Sequence, residues 1–212
     1  MNKEFTPSPY VNSREKRALD LAVNVLLMPV IIPTIGALAV AIKLEDGDPV
    51  LFKQERIGKD GNIFTIYKLR TMDEAGERTR IGKIIRPLGL DELPQIWNIL
   101  KGEMSAFGIR MVTPEDFERT CNLHLTEPDI FEPELTQAWK EAYLAGRPGG
   151  FSRAAAEAPS VFYRGYGDSQ GIKRKMEIDI EQASGESPRM DFEIVREIFS
   201  RAVSTLRKRD IK

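Results

Sequence analysis

Residues Leu21 to Ile42 read LAVNVLLMPVIIPTIGALAVAI, a run without a single charged side chain. As a straight helix this run would measure about 33 Å, at roughly 1.5 Å per residue. The hydrocarbon core of a bilayer is about 30 Å thick. The run therefore predicts a helix that inserts into a membrane.

Two other interpretations of this apolar run fit the sequence less well. A buried core helix of a soluble protein usually carries a polar stripe. A cleaved signal peptide has a shorter apolar region of roughly 7–15 residues, followed by small residues at the cleavage site. Here the charged stretch Lys43 to Asp46 follows instead.

The topology of the helix depends on its prolines and its flanks. Pro29 and Pro33 each remove a backbone donor and favour a bend. Basic residues lie on both sides, at Arg14, Lys16 and Arg17 before the run and at Lys43 after it. The positive-inside rule then places both flanks in the cytoplasm. We expect a re-entrant helix that bends at the prolines and returns to the same face; a spanning helix is the alternative.

Composition excludes several classes of protein. The 212 residues include 31 Lys+Arg and 32 Asp+Glu, a net charge of -1, which argues against a nucleic-acid binder. A hydrophobic content of 42% with 30% charged residues excludes a disordered chain. The single cysteine, Cys121, and the single histidine, His124, exclude a disulfide framework and a cysteine- or histidine-rich metal site.

The sequence predicts a mostly helical α/β protein that is monotopic in the membrane. We expect a loose tail over residues 1–13, the re-entrant helix over 14–43 and a small cytoplasmic catalytic domain over 44–212. Within that domain, the turn Lys59–Asn62 predicts a hairpin between short strands. The acidic stretch 113–135 is predicted as solvated helix and loop.

The C-terminal end of the chain has the pattern of a basic amphipathic helix over about residues 191–209. Its apolar residues recur at helical spacing from Ile194 to Leu206, with arginine and lysine between and after them. Such a helix is typical of a membrane surface. An ordinary helix packed on the core, with a solvated basic face, is an equal alternative.

The chemistry is predicted at two adjacent carboxylates, Asp91 and Glu92. They precede the apolar pattern of a helix over 93–101, which ends at Gly102. We expect Trp97 to lie on the packed side of this helix. A helix N-terminus favours anions. Cations surround the pair in sequence, at Lys68, Arg70, Lys83, Arg86 and Arg110. Carboxylates and cations together suit phosphoryl transfer; the alternative is that Asp91 caps the helix and Glu92 is solvated.

Three ordered motifs carry a resemblance. DPVLFKQERIG (48–58), FTIYKLRTM (64–72) and LDELPQIWNILKGEMS (90–105) follow the proline-broken apolar run. From about residue 14 to 110 the chain resembles the bacterial sugar transferase family, the small monotopic polyprenyl-phosphate phosphoglycosyl transferases. The resemblance implies transfer of a phosphosugar from a UDP-sugar to polyprenyl phosphate, with release of UMP, at the cytoplasmic face of the bacterial inner membrane. This reaction initiates the synthesis of a surface glycan or glycoconjugate.

The resemblance also implies roles for single residues. Asp91 is the nucleophile that forms a covalent phosphosugar–aspartate intermediate, and Glu92 assists magnesium binding or proton removal. Both carboxylates are then the expected Mg²⁺ ligands. The positions that match substrate-binding residues of the family are Lys68, Arg70, Arg86, Arg110 and Arg147. Of these, Arg86 is the first that we assign to phosphate binding. Pro29 matches the proline that breaks the re-entrant helix.

The chain departs from the family pattern around two of these arginines. Arg110 lies in GIRM, where the family has GPRP, and Arg147-Pro148-Gly149 is followed by GFSR. Met28 stands where a serine usually precedes the membrane proline. These departures motivate a second hypothesis, a non-catalytic membrane adaptor that binds polyprenyl phosphate or a glycosyltransferase. A homodimer or a downstream glycosyltransferase partner stays open.

Overall fold

A computed structural model describes residues 5–153, 168–194 and 196. It is a mostly helical α/β structure, as predicted. The α-helices are α1 (Arg14–Asp46), α2 (Arg80–Ile85), α3 (Ile96–Lys101), α4 (Pro114–Cys121), α5 (Leu123–Thr126), α6 (Pro133–Ala145) and α7 (Ser169–Gly185). The strands are β1 (Leu51–Ile57), β2 (Ile63–Leu69), β3 (Ser105–Phe107) and β4 (Gly149–Phe151). Short 3-10 helices cover Pro9–Asn12, Lys59–Gly61, Arg86–Leu88 and Leu90–Gln95.

Helix α1 contains the apolar run. Ser13 caps it by accepting a hydrogen bond from the backbone N–H of Lys16, and it passes through both prolines to end at Asp46, beyond the expected end at residue 43. Gly47 follows it with a φ of 69°. In the described part of the chain, α1 is the one helix long and apolar enough to cross a membrane. The exposure of apolar side chains such as Leu26 and Val30 indicates membrane association.

Both ends of α1 pack on the same globular part of the protein. Near the N-terminal end, the buried Asp20 carboxylate accepts hydrogen bonds from Ser105 Oγ at 2.8 and 2.9 Å and from the Ala106 N–H at 3.0 Å. Near the other end, Ile42 is buried in one apolar cluster with Leu69 and Ile85. The helix therefore contacts the globular part near both of its ends.

Strands β1 and β2 form the predicted antiparallel hairpin. Their register pairs Phe52 with Lys68 and Arg56 with Phe64. The turn between them is a 3-10 helix in which Asp60 adopts a φ of 57°. The strands pair along all seven residues of each, from Leu51 with Leu69 to Ile57 with Ile63.

Strands β3 and β4 form a parallel pair that the sequence did not predict. A Cβ atom added at Gly149 would lie 2.1 Å from the backbone nitrogen of Gly108. A side chain at this position would therefore push the two backbones apart. Glycine is thus required here by the close approach of the two segments, not by a turn.

A core of aromatic side chains contacts the hairpin at the end of β1. Trp139 and Tyr143 on α6 pack against Phe117 on α4, with ring centroids 5.3–5.6 Å apart. The Tyr143 hydroxyl donates to the Ile57 carbonyl at 2.8 Å, which joins the core to the end of β1. The helices α4 and α5 confirm the prediction of helix and loop over 113–135.

The predicted C-terminal helix is described only at its start. Residues 188–194 are helical, while 195 and 197–209 lie outside the described residues. Ile194 is buried in a cluster with Phe64 and Phe107, and Phe192 is exposed. This first part of the helix is packed on the core.

Candidate active site

The acidic pair lies in the 3-10 helix Leu90–Gln95. Gly89, in the left-handed conformation with a φ of 68°, separates this helix from the preceding one. The sequence predicted an ordinary helical start near Asp91. The structure instead has a 3-10 turn that contains Pro94 and changes to α3 at Ile96, because proline lacks the N–H that an α-helix needs there. Trp97 was expected on the packed side, and this was wrong: it is 49% exposed.

Asp91 is buried, with 7% of its surface exposed. Burial raises the pKa of its carboxyl above the ordinary value, and the neighbouring Glu92 raises it further, while Lys68 and Arg86 oppose the rise. Among the described residues, no hydrogen bond or ion pair joins Asp91 to another side chain. Within this part of the chain its carboxylate has no side-chain partner, although a backbone hydrogen bond of Asp91 also opposes the rise of its pKa.

Glu92 is an ion-pair acceptor. One of its oxygens, Oε1, accepts from Lys68 Nζ at 2.8 Å and from Arg110 Nη2 at 2.6 Å. Burial by itself would raise the pKa of Glu92, but the two cations outweigh it and lower the pKa from 4.5 to about 2. The alternative of a solvated Glu92 is therefore wrong. So is the alternative of Asp91 as a cap, because Gly89 holds the cap position.

Two arginines near the acidic pair come from different parts of the fold. Arg110 is fixed by a backbone bridge to Gly149 and by donation from Nη1 to the Gly150 carbonyl at 3.3 Å. Arg86 lies in the 3-10 helix before the pair, exposed, with Nη1 3.3 Å from Met72 Sδ. Its charge acts on Asp91, whereas Arg110 acts on Glu92. The cations thus flank the carboxylates on two sides.

The structure does not bring Arg70 and Arg147 to the acidic pair. Arg70 Nη2 donates to the carbonyls of Asp46 at 2.7 Å and Gly47 at 2.9 Å, at the end of α1. Arg147 Nε donates to the Gly102 carbonyl at 2.9 Å, at the end of α3. Their substrate-binding role stays a prediction.

Sequence reasoning missed Arg56, which the structure places beside the site. Its Nη2 donates to Gln54 Oε1 at 2.5 Å. Burial lowers the pKa of Arg56, and the positive charge of Arg110 lowers it further. The sequence does carry a signal for Arg56. Because side chains alternate along a strand, Gln54 and Arg56 lie on the same face of the hairpin as Lys68.

The two carboxylates fit a magnesium ion that is shared with substrate. No group of three acidic, histidine or cysteine side chains that could hold a metal ion occurs among the residues that the structure describes. Mg²⁺ commonly binds one or two carboxylates together with substrate phosphates and water. Asp91 and Glu92 supply oxygen ligands of this kind, and only Oε1 of Glu92 is engaged by cations.

Known proteins are similar to about half of the chain. A UDP-N-acetylgalactosamine-undecaprenyl-phosphate N-acetylgalactosaminephosphotransferase of Aeromonas hydrophila is 43% identical over 117 residues, which are 49% of this chain and 27% of that protein. A UDP-glucose:undecaprenyl-phosphate glucose-1-phosphate transferase of Caulobacter vibrioides is 42% identical over 108 residues, 45% of this chain and 40% of that protein.

A third relative covers more of the chain. The exopolysaccharide production protein ExoY of Sinorhizobium fredii is 29% identical over 162 residues, 63% of this chain and 65% of that protein. The aligned part thus covers less than half of the Aeromonas and Caulobacter proteins.

The family match covers nearly the whole chain. The sequence profile described as Bacterial sugar transferase matches residues 11–205, which include α1, the hairpin and the acidic pair. The chain belongs to the bacterial sugar transferase family.

Proposed function

We propose that the protein transfers a sugar-1-phosphate from a UDP-sugar to polyprenyl phosphate, releases UMP and so initiates the synthesis of a surface polysaccharide or glycoconjugate. The observation that carries this proposal is the site itself: a buried Asp91, without a side-chain partner among the described residues, beside a Glu92 that holds two cations. The activities for which the relatives from Aeromonas and Caulobacter are named support the same chemistry.

The first step uses Asp91 as the nucleophile. An oxygen of its ionised carboxylate attacks the phosphorus that bears the sugar, and the bond from that phosphorus to the UMP oxygen breaks. Lys68, Arg86 and Arg110 offer positive charge to the phosphate oxygens as charge shifts to the leaving UMP. The sugar-1-phosphate is then joined to Asp91 as an acyl phosphate.

The second step regenerates Asp91. A phosphate oxygen of polyprenyl phosphate attacks the same phosphorus, and the bond between Asp91 and phosphorus breaks. The product is a polyprenyl diphosphate sugar, and the carboxylate is free again. The apolar helix α1 supports this step, because it associates the chain with the bilayer in which the acceptor is dissolved.

Of the two roles expected for Glu92, the electrostatics favour the binding role. A carboxyl with a pKa of about 2 is a weak proton acceptor at neutral pH. Ionised Glu92 instead holds Lys68 and Arg110 in place. Together with Asp91 it would hold Mg²⁺, which would neutralise charge on the substrate phosphates when bound.

The packing of α1 supports a re-entrant arrangement, with the catalytic part on the cytoplasmic face. Asp20 and Ile42 both contact the globular part, although 22 residues of straight helix between them would measure about 33 Å. A helix that spanned a hydrocarbon core of about 30 Å would hold these ends on opposite sides. Single cysteines introduced at the two flanks, in a Cys121→Ser background, should therefore both react with a reagent confined to the cytoplasmic side. Labelling of the two flanks from opposite sides would refute re-entry.

The reaction is tested by UMP release in detergent. Purified protein receives polyprenyl phosphate, Mg²⁺ and a panel of UDP-sugars, and Asp91→Asn is compared with the matched control Asp60→Asn, an exposed aspartate in the hairpin turn. We expect Asp91→Asn to lower turnover about a thousand-fold or more and the control to retain it. Equal turnover in Asp91→Asn would overturn the mechanism. A folded wild type that neither turns over nor binds any UDP-sugar would favour the adaptor.

A further inference from the structure

One cation beside the site, Arg56, has no part in the mechanism so far. Strand β1 carries it on the face of the hairpin that faces the acidic pair, and the Ile57 N–H donates to the Val112 carbonyl at 3.1 Å. This bond ties the end of β1 to the segment that follows Arg110. Arg56 therefore lies on the Arg110 side of Glu92, whereas Arg86 acts on Asp91.

The negative charges of Asp116 and Glu92 act on the Arg56 guanidinium, but its hydrogen bond is to a neutral side chain. Its described hydrogen-bond partner is the neutral amide oxygen of Gln54. No ion pair joins it to a carboxylate among the described residues, and its Nε is buried without a hydrogen-bond partner there. The nearby Glu92 already accepts from two other cations. Two guanidinium groups, of Arg56 and Arg110, are thus neighbours although they repel each other.

The charges of the site favour an anionic ligand. Among the described residues, the cations Arg86, Lys68, Arg110 and Arg56 outnumber the carboxylates beside them, Asp91, Glu92 and Asp116. An excess of positive charge suits the negatively charged oxygens of a diphosphate diester or of a phosphate monoester. Adjacent arginines are typical of phosphate sites, because each presents a planar fork of donors to the oxygens.

We propose that Arg56, together with Arg110, binds the nucleotide-side phosphate of the UDP-sugar and of the released UMP. This inference rests on the proposed function, since it uses the direction of the transfer. Asp91 bonds to the phosphorus that bears the sugar, near Arg86. The second phosphate of the donor then extends past Glu92 to Arg56 and Arg110, which stabilise the charge that develops on the leaving oxygen.

The test measures binding of UMP, which requires no turnover. Arg56→Gln and Arg56→Lys are compared with wild type by calorimetry with UMP and Mg²⁺. Lys53→Gln is the matched control, because it removes a cation from the opposite, exposed face of the same strand. We expect Arg56→Gln to weaken UMP binding about tenfold or more. Arg56→Lys should lie between the two, since it keeps the charge but loses the fork, and the control should bind as wild type does.

Kinetics separate this inference from the proposed function. If Arg56 contacts the phosphate, Arg56→Gln raises the KM for UDP-sugar and the inhibition constant of UMP together. Wild-type turnover combined with unchanged UMP binding in both Arg56 variants would overturn the inference and leave the proposed function intact. A lower kcat and a lower melting temperature with unchanged UMP affinity would assign Arg56 a structural role only. Absence of both turnover and UMP binding in folded wild type would refute the proposed function itself.

Discussion

Replacing Glu92 by glutamine keeps the shape of the side chain and removes the charge that holds Lys68 and Arg110. Lowering the pKa of Glu92 from 4.5 to about 2 corresponds to about 3 kcal/mol that favours its ionised form, at 1.36 kcal/mol per pKa unit. We expect Glu92→Gln to lose a free energy of unfolding of this size at pH 7. For a chain of this length, that equals a fall in melting temperature of about 6–12 °C.

The pH dependence of the loss has a definite sign. The pKa of Glu92 is lower in the folded protein than in the unfolded chain, so its stabilisation is complete above about pH 4.5 and disappears as the pH falls through about 2. The difference between wild type and Glu92→Gln should therefore be about half as large at pH 3 as at pH 7.

Thermal unfolding in detergent, followed by the fluorescence of the buried Trp139, measures both effects. Glu55→Gln is the matched control, because Glu55 is exposed on β1 and joins no ion pair within the described residues. Adding Lys68→Met to Glu92→Gln should recover part of the loss, since one fewer cation is left without a partner. A melting temperature of Glu92→Gln within about 2 °C of wild type at pH 7 would refute this account of the ion pairs.

Three further predictions concern other parts of the structure. Arg86→Gln should move the acid limb of the pH–rate profile to higher pH, because Arg86 opposes the raised pKa of Asp91; an unmoved limb would contradict this. Lys16→Met should cost about 3–5 kcal/mol in denaturant unfolding, and more at pH 8 than at pH 5. The reason is that the buried partner of Lys16, Glu186, has a pKa raised to about 7, chiefly by burial. Gly149→Ala should lower the melting temperature strongly, since its Cβ would meet the backbone of β3. The control Gly36→Ala should not, because a Cβ at Gly36 meets nothing within 4 Å. Equal melting temperatures of the two variants would argue against the close approach of β3 and β4.

The sequence predicts those features that depend on local patterns. The apolar run indicates the membrane helix because its length and lack of charge suffice for insertion. The turn at Lys59–Asn62 predicts the hairpin, and alternation along β2 places Lys68 on the face that reaches Glu92. The adjacency of Asp91 and Glu92 is visible in the sequence itself, and in the structure the charges of Lys68, Arg86 and Arg110 act on the pair.

The remaining features depend on contacts between distant segments. Arg70 follows directly after the strand that carries Lys68. The end of α1, more than twenty residues earlier, accepts hydrogen bonds from the Arg70 guanidinium. The exposure of Trp97 depends on which face of α3 the hairpin covers. Arg56 was missed because its relation to Arg110 arises from the bond between Ile57 and the distant Val112.

The central claim is that Asp91 carries the sugar-1-phosphate between donor and acceptor. Intact-protein mass spectrometry after incubation with a UDP-sugar and Mg²⁺, in the absence of polyprenyl phosphate, tests it most directly. The account predicts a mass increase equal to one sugar-1-phosphate, located on Asp91 by peptide mapping, absent in Asp91→Asn and removed by added polyprenyl phosphate. UMP release by a wild type that never carries this mass, and that Asp91→Asn matches in rate, would contradict it.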